Sequence, residues 1–196
     1  MKSFLRCCFA FLLLAFACIG TSCTGILHRG ASGSHQKHGS QWKGVSQVVA
    51  VMQPTAGNKA GGTVVFTQTK DGVKVEANIT GLSPDSEHAI HVHQFGDVRL
   101  DNGKGAGGHY NPEGHDHGLP AKDKRHAGDL GNLKADANGA ASYTIVAKNI
   151  SVAGLHNPVV GRGVIIHAKV DDGGQPTGNA GARISQGVIG VAKSAE

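Results

Sequence analysis

Residues 61–79 read GGTVVFTQTKDGVKVEANI, two runs of alternating apolar and polar side chains on either side of Lys70-Asp71-Gly72. Such alternation is typical of strands that bury one face, and an Asp-Gly pair supplies the positive φ angles of a tight hairpin turn. Further apolar runs, bounded by Gly, Pro, Asn or Asp, lie before and after this stretch, many of them at intervals of about ten residues. They read SQVVAVMQ, HAIHVHQ, ASYTIVA, GVIIHAKV and GVIGVAK. This spacing predicts an all-β, antiparallel sandwich or barrel of about eight strands.

The composition agrees with a β-rich domain and excludes other classes. Thirty of the 196 residues are glycine, which weakens helices and permits tight turns. The length excludes large multidomain assemblies. The net charge of +5 resides in residues 1–44, which hold five basic and no acidic side chains, whereas residues 45–196 hold 14 of each. A basic surface for nucleic acid is therefore not expected.

The first 23 residues carry the pattern of a secretory signal. Two basic residues in MKSFLR precede an apolar run at 7–20, and small residues follow. The 14-residue run is shorter than the roughly 20 residues of a bilayer-spanning helix. Cys18 and Cys23 each resemble the acylated cysteine of a bacterial lipoprotein, so both plain secretion and a lipid anchor to a membrane stay open. We expect an exported protein, either periplasmic, membrane-anchored or secreted.

The predicted domain, residues 45–196, contains no cysteine, because all four cysteines lie at positions 7, 8, 18 and 23. Exported domains often rely on disulfides, so this domain must be stabilised by other means. Residues 24–44 are rich in Gly, Ser, Gln and His without a hydrophobic period, which indicates a flexible linker. Its histidines, His28, His35 and His38, are interpreted as solvated linker residues in preference to metal ligands.

A metal is the expected alternative to a disulfide. Between Gln94 and Asp129 the chain shows no strand alternation, and so long a loop in a compact domain is expected to be functional or pinned. Its histidines are His109, His115, His117 and His126. Imidazole suits copper and zinc, so these side chains predict a metal site.

The strands on either side supply further imidazoles. His91 and His93 lie two apart on a predicted strand and project from the same face, where they can chelate one ion. His88 points to the other face and is expected to lie in the core or to support a ligand. His167 lies in the second apolar strand GVIIHAKV.

Five blocks spaced along the domain are shared with a known family. They read HVHQFGD (91–97), GGHYNP (107–112), RHAGDLGN (125–132), IIHAKVDD (165–172) and GNAGARI (178–184). They resemble the copper-zinc superoxide dismutases over roughly residues 45–193. The resemblance implies an eight-stranded antiparallel Greek-key barrel with long metal-binding and active-site loops. It also implies disproportionation of superoxide to oxygen and hydrogen peroxide, with copper alternating between Cu(II) and Cu(I).

The resemblance also assigns roles to single residues. It implies copper ligands at His91, His93, His109 and His167, and zinc ligands at His109, His117, His126 and Asp129. In this assignment His109 bridges both ions, and takes up a proton when copper is reduced. Asp171 hydrogen-bonds His91 and His117, Arg183 holds the superoxide anion beside copper, and Thr177 narrows the channel. His115 and His156 receive no role.

The chain departs from the family at the disulfide that usually ties the long loop to the barrel. The segment GDVRLDNGKGAGGH (96–109) has no cysteine, and Gln186 stands at the partner position. We therefore expect stability to depend strongly on metal.

Three alternatives remain beside the enzyme. An exported copper-binding or copper-buffering protein could use the linker histidines as auxiliary ligands, but metal storage needs no anion site and Arg183 provides one. A copper-only relative would not need the complete zinc set. An adhesion sandwich leaves the metal residues unexplained. The oligomeric state, monomer or homodimer, and the copper donor stay open.

Overall fold

Eight strands and one 3-10 helix make up the regular structure of residues 44–193, the part of the chain that the computed structural model describes. The strands are β1 (Gln47–Pro54), β2 (Gly61–Thr69), β3 (Gly72–Thr80), β4 (Glu87–His93), β5 (Asp129–Lys134), β6 (Ala141–Ala147), β7 (Gly163–His167) and β8 (Arg183–Val191). The 3-10 helix is Lys104–Ala106. The expected signal at 1–23 and all but the last residue of the expected linker at 24–44 lie outside the described residues.

The strands pair antiparallel in the order β5-β4-β7-β8-β1-β2-β3-β6. The two edge strands approach each other, because the Tyr143 hydroxyl on β6 donates a hydrogen bond of 2.6 Å to the carbonyl of Leu130 on β5. The sheet is thereby curled into a nearly closed barrel. Strands β4 and β7, and strands β3 and β6, are neighbours without being consecutive, as in Greek-key connections. The predicted all-β barrel is confirmed.

Alternation along the strands fills the interior. On β3, Val73, Val75, Ala77 and Ile79 are buried and point inward, while the residues between them are more exposed. Full burial of an aliphatic side chain of this kind contributes about 1.5–3 kcal/mol. Lys70 and Asp71 form the predicted turn between β2 and β3. The barrel therefore forms from local pattern and turn chemistry.

Strands β4 and β7 are buried on both faces, unlike strands such as β3, whose outward side chains are more exposed. Ile90 and Val92 belong to the apolar core, whereas His91 and His93 project from the opposite face. The loop between β4 and β5 covers that outer face: its backbone joins β4 through the bonds Tyr110 N–H to Val92 O and Val92 N–H to Gly128 O, each 2.9 Å. The buried outer face of β4 and β7 is where the histidines gather.

The structure departs from the sequence pattern at two places. Strand β5, with the sequence DLGNLK, was not among the predicted runs, and β8 begins at Arg183, upstream of the predicted GVIGVAK. The region between Gln94 and Gly128 contains one 3-10 turn and an isolated bridge between His93 and His109. The expectation of a long loop without strand structure is confirmed. Within residues 44–193, no helix has the length and apolar character needed to span a bilayer.

Candidate metal centre

Four buried imidazoles converge on the outer face of β4 and β7. Their ligand atoms lie within 4.8 Å of one another, and they belong to His91, His93, His109 and His167. Three come from the strands and His109 from the covering loop. The ring centroids of His91 and His167 are 5.0 Å apart, and those of His93 and His167 are 5.6 Å apart. We refer to these four residues as the strand group.

A second buried group shares His109 with the first. Its ligand atoms also lie within 4.8 Å of one another, and they belong to His109, His117, His126 and Asp129. The Nδ1 atom of His109 lies 3.0 Å from Asp129 Oδ1 and 3.2 Å from His126 Nδ1. The opposite ring nitrogen, Nε2, is therefore the one left to face the strand group. We refer to this second set as the loop group.

Asp129 is fixed as an anion at the start of β5. Its Oδ2 accepts hydrogen bonds from the backbone N–H of Gly118 at 3.0 Å and of His126 at 3.1 Å. Burial acts to raise the pKa of this carboxyl, but the hydrogen bonds from His109 and Gly118 and the adjacent His117 imidazole outweigh it and hold the pKa well below its usual range. The loop group thus contains a permanent negative charge, which favours a cation.

Asp171, between β7 and β8, connects the two groups through one imidazole of each. Its carboxylate accepts hydrogen bonds from His91 Nε2 at 2.9 Å and from His117 Nε2 at 2.8 Å. Asn132 on β5 holds Asp171 in turn, with bonds of 2.7 and 3.0 Å to its backbone N–H and carbonyl. A carboxylate of this kind fixes the orientation of an imidazole and leaves its other nitrogen free for an ion.

The buried nitrogens test whether the residues fit a metal. Four ring nitrogens are buried without a hydrogen-bond partner among residues 44–193: His91 Nδ1, His93 Nε2, His117 Nδ1 and His167 Nε2. The other nitrogen of each ring is engaged by Asp171, or by the carbonyl of Gly107 or Gly181. His117 Nδ1 does lie 3.0 Å from Asp129 Oδ2, but without hydrogen-bond geometry. Buried polar atoms normally find partners, so these lone pairs fit bound cations.

Burial affects the protonation of the strand-group imidazoles and of His117 differently. Burial lowers the pKa of His91 to about 4 and that of His167 to about 3, and it also lowers the pKa of His93 well below 6.5. These rings are neutral at pH 7 and offer lone pairs. Burial acts to lower the pKa of His117 as well, but Asp129 and Asp171 outweigh it and raise the pKa to about 9. A cation bound to His117 must therefore displace a proton.

Arg183, the first residue of β8, lies beside the strand group. Its guanidinium donates hydrogen bonds of 2.6 Å from Nη1 to the carbonyl of Gly103 and from Nη2 to that of Gly107. The Gly107 carbonyl also accepts a bond of 3.0 Å from His93 Nδ1, so one carbonyl joins the arginine to an imidazole of the strand group. The charge on Arg183 contributes to the lowered pKa values of His93 and His167.

The remaining predicted residues lie around these groups. His88 supports the site as expected, because its Nδ1 donates a bond of 2.8 Å to the carbonyl of His167. Thr177 is exposed in the segment between β7 and β8. His115 and His156 belong to neither group and lie 3.7 and 3.9 Å from the carboxylate oxygens of Glu113. The linker histidines lie outside the described residues.

Sequence reasoning missed three residues at the site. Asn132 holds Asp171, and the Gly107 carbonyl joins His93 to Arg183. Gly178 has a φ of 74°, and a Cβ at this position would overlap the carboxylate of Asp171 and lie 2.7 Å from His117 Nε2. All three are in or at the edge of the quoted blocks, but their roles depend on close backbone approaches that residue spacing does not reveal.

One comparison with known proteins bears on this geometry. A family model described as copper/zinc superoxide dismutase (SODC) matches residues 60–189. The match spans β2 to β8 for most of their length and includes every residue of both groups.

Proposed function

The chain belongs to the copper/zinc superoxide dismutase family, and we propose that it catalyses 2 O2•− + 2 H+ → O2 + H2O2. The observation that carries this proposal is the pair of buried ligand groups that share His109 beside a fixed arginine. The buried ligand groups are able to bind metal ions, as the family's copper and zinc require. A protein that only stored metal would need the ligands but would not need Arg183.

We assign copper to the strand group and zinc to the loop group. All four members of the strand group are imidazoles, which suit copper. The loop group combines three imidazoles with one carboxylate, a donor set that suits tetrahedral zinc. Copper held by the strand group would supply one-electron exchange with superoxide in both directions, and zinc held by the loop group would supply a fixed positive charge next to His109.

Arg183 captures and orients the substrate. Superoxide is a small anion, and a guanidinium remains charged at any physiological pH. The carbonyls of Gly103 and Gly107 hold the guanidinium beside His93, so its position is fixed before the anion arrives. A preorganised cation of this kind attracts an anion without reorganising at the moment of reaction.

His109 supplies a proton to the second superoxide. Peroxide formation consumes two protons, and Nε2 of His109 is the imidazole nitrogen that faces the strand group. Asp129 lies 3.0 Å from the opposite nitrogen and keeps the ring in place. Nε2 can therefore accept a proton and give it up again while the ring keeps its orientation.

The test is the decay of a superoxide pulse in the presence of the purified protein loaded with copper and zinc. We expect rapid, copper-dependent decay. Arg183→Ala should slow it by weakening anion capture, and His167→Ala should abolish it by removing a copper ligand. His156→Ala is the matched histidine control and should leave the rate unchanged, because its side chain is 62% exposed and outside both groups.

The competing function, copper buffering, predicts a different result. Stoichiometric copper binding with no decay above that of buffer would overturn the dismutase proposal. A rate that is equal in Arg183→Ala and the wild-type protein would remove the role assigned to the arginine.

We also propose that the chain is exported. The charged start, the apolar run at 7–20 and the small residues after it support this proposal. The test is expression of the full chain in a bacterium, followed by fractionation and by mass measurement of the mature N-terminus. Export with lipid on Cys18 or Cys23 identifies an anchored protein, and export with a free N-terminus identifies a secreted one. Retention of the uncleaved chain in the cytoplasm would contradict the proposal.

A further inference from the structure

A buried glutamine on β8 reaches the loop that holds Arg183. Gln186 is 5% exposed, and its Nε2 donates a hydrogen bond of 3.0 Å to the carbonyl of Leu100, with a weaker contact of 3.5 Å to that of Val98. Both carbonyls belong to residues 97–107, which we call the arginine-binding segment. The amide therefore joins the barrel wall to this segment.

The bonds of Gln186 and Arg183 meet at a single turn. The carbonyl of Leu100 that accepts from Gln186 also accepts from the backbone N–H of Gly103 at 3.1 Å. The carbonyl of Gly103 then accepts from Arg183 Nη1. A continuous chain of hydrogen bonds thus runs from Gln186 through Leu100 and Gly103 to the guanidinium.

The segment has no covalent attachment to β8 and little burial of its own. The domain contains no cysteine, and Asp101, Asn102 and Lys104 are exposed. Gly103 has a φ of 72°, and a Cβ there would lie 3.2 Å from Cβ and Cδ of Arg183. The segment is held to β8 through its backbone carbonyls, which accept from Arg183 and Gln186.

We propose that Gln186 is a positioning residue that clamps the arginine-binding segment to β8, in place of a disulfide, and thereby fixes Arg183 for anion binding. The proposal rests on the proposed function for the role of Arg183. The clamp is made of hydrogen bonds alone, so reducing agents do not release it.

A substitution that keeps the packing of Gln186 but removes its hydrogen bonds separates the positioning role from a contribution to stability. Gln186 Oε1 is buried without a partner among the residues that the structure describes, which costs stability. Gln186→Met keeps the shape of the side chain and removes both this oxygen and the donor. The Leu100 carbonyl keeps its bond to Gly103 N–H. We therefore expect Gln186→Met to fold with a midpoint of unfolding close to that of the wild-type protein, and yet to loosen the segment.

Limited trypsin digestion measures the clamp without using activity. Arg99, whose side chain is 87% exposed, and the exposed Lys104 are cleavage sites within the segment. Loss of one net hydrogen bond should raise the population of the open segment, and the cleavage rate, about fivefold. Gln53→Met is the matched control, because Gln53 lies opposite Gln186 in the β1–β8 register and is exposed.

Azide, a small anion that ligates Cu(II), measures the effect on the arginine. In the copper-loaded protein we expect Gln186→Met to weaken azide affinity several-fold and to leave the visible spectrum of azide-free copper unchanged. In an Arg183→Ala background the same substitution should have no further effect, since the two residues act in series. Wild-type cleavage and azide affinity in Gln186→Met would overturn the proposal. If the wild-type protein does not dismutate superoxide, the proposed function fails, while the cleavage assay still decides whether the clamp exists.

Discussion

The barrel interior and the ligand groups on its outer surface are both buried, but they are stabilised differently. Ile90 and Val92 pack against other apolar side chains, so the interior needs nothing beyond the chain itself. On the opposite face of the same strand, His91 and His93 each bury one ring nitrogen without a partner among the described residues. One face of β4 is thus fully packed by the chain's own side chains, whereas the other face has buried nitrogens that only a bound ion would satisfy.

This difference indicates how folding and metal binding are divided within the domain. The interior can form from the alternating pattern and the turns before any ion binds. The loop from Gln94 to Gly128, in contrast, covers buried ring nitrogens that have no hydrogen-bond partner until a cation binds them. The predictions below separate the two regions, from the largest expected effect to the smallest.

Removal of both metals should have the largest effect. At a free metal concentration of 1,000 times Kd, each bound ion adds about 4 kcal/mol to the stability of the folded state. We expect chelation to lower the melting temperature and to increase amide exchange in residues 94–128, while β2 and β3 stay protected. Calorimetry and hydrogen exchange measure the two parts. A metal-free protein that melts within a few degrees of the loaded one, with an unchanged loop, would contradict this division.

Acid should destabilise the metal-free protein well above the range in which carboxylates titrate. The pKa values of His91, at about 4, and of His167, at about 3, are lower than the 6.5 of the unfolded chain. Below pH 6.5 the unfolded state binds more protons, so stability falls as pH falls, by up to about 1.4 kcal/mol per pH unit for each histidine. His117, with its raised pKa, is protonated in the folded state throughout this range; it adds a slope of opposite sign near pH 6.5, which fades once the unfolded state is protonated as well.

Urea unfolding of the metal-free protein between pH 6.5 and 4 measures this loss. A double variant, His91→Gln with His167→Gln, serves as the control and should show a shallower dependence on pH. Equal slopes in the two proteins would show that these histidines are not buried in neutral form.

Substitutions on the two faces of β4 should have opposite consequences. Ile90→Ala creates a cavity in the interior and should cost about 2–5 kcal/mol with or without metal. His93→Ala leaves a cavity and loses the bond to the Gly107 carbonyl, but it also removes a buried, partnerless nitrogen, so it should cost less than Ile90→Ala in the metal-free protein and should abolish the gain in stability on adding copper. Denaturant unfolding with and without copper measures both. A similar cost for both variants in the metal-free protein would remove the distinction between the faces.

The smallest effect is expected from substitution of Gly178, which packs against Asp171 and His117. Gly178→Ala introduces a Cβ that overlaps Asp171, and it should weaken metal affinity about 10-fold to 100-fold. Gly161 has a similar φ of 81°, and a Cβ there would meet nothing within 4 Å, so Gly161→Ala reports the backbone strain alone. Competition titration with a chelating dye measures affinity. Equal affinities in the two variants would show that the approach of Gly178 to Asp171 does not matter.

The sequence was sufficient for the parts of the fold that depend on local pattern. Alternation identified seven of the eight strands and the turn at Lys70 and Asp71. Strand β5 was not predicted, because Gly131 and Asn132 interrupt its alternation of apolar and polar side chains. Both residues serve contacts made across the fold: a Cβ at Gly131 would lie 3.0 Å from Pro120, and Asn132 holds Asp171.

The candidate site shows the same limit. Strand parity placed His91 and His93 on one face, and the resemblance to a family supplied the remaining ligands, all of which the structure brings together. Which nitrogen of each ring lacks a partner, and which carbonyls hold Arg183, depends on backbone positions brought close by the tertiary fold. The link through Gln186 could not be read from spacing, because its partners are main-chain atoms of Val98 and Leu100.

The central claim is that two metal ions share His109, and titration of the copper-loaded protein with zinc tests it most directly. The visible spectrum of Cu(II) reports on its ligands, so one equivalent of zinc should shift the copper band through the shared imidazole. The shift should disappear in Asp129→Asn, which removes the carboxylate of the loop group but leaves His91, His93 and His167 in place for copper. Zinc that binds with one equivalent and leaves the copper spectrum unchanged would contradict the claim.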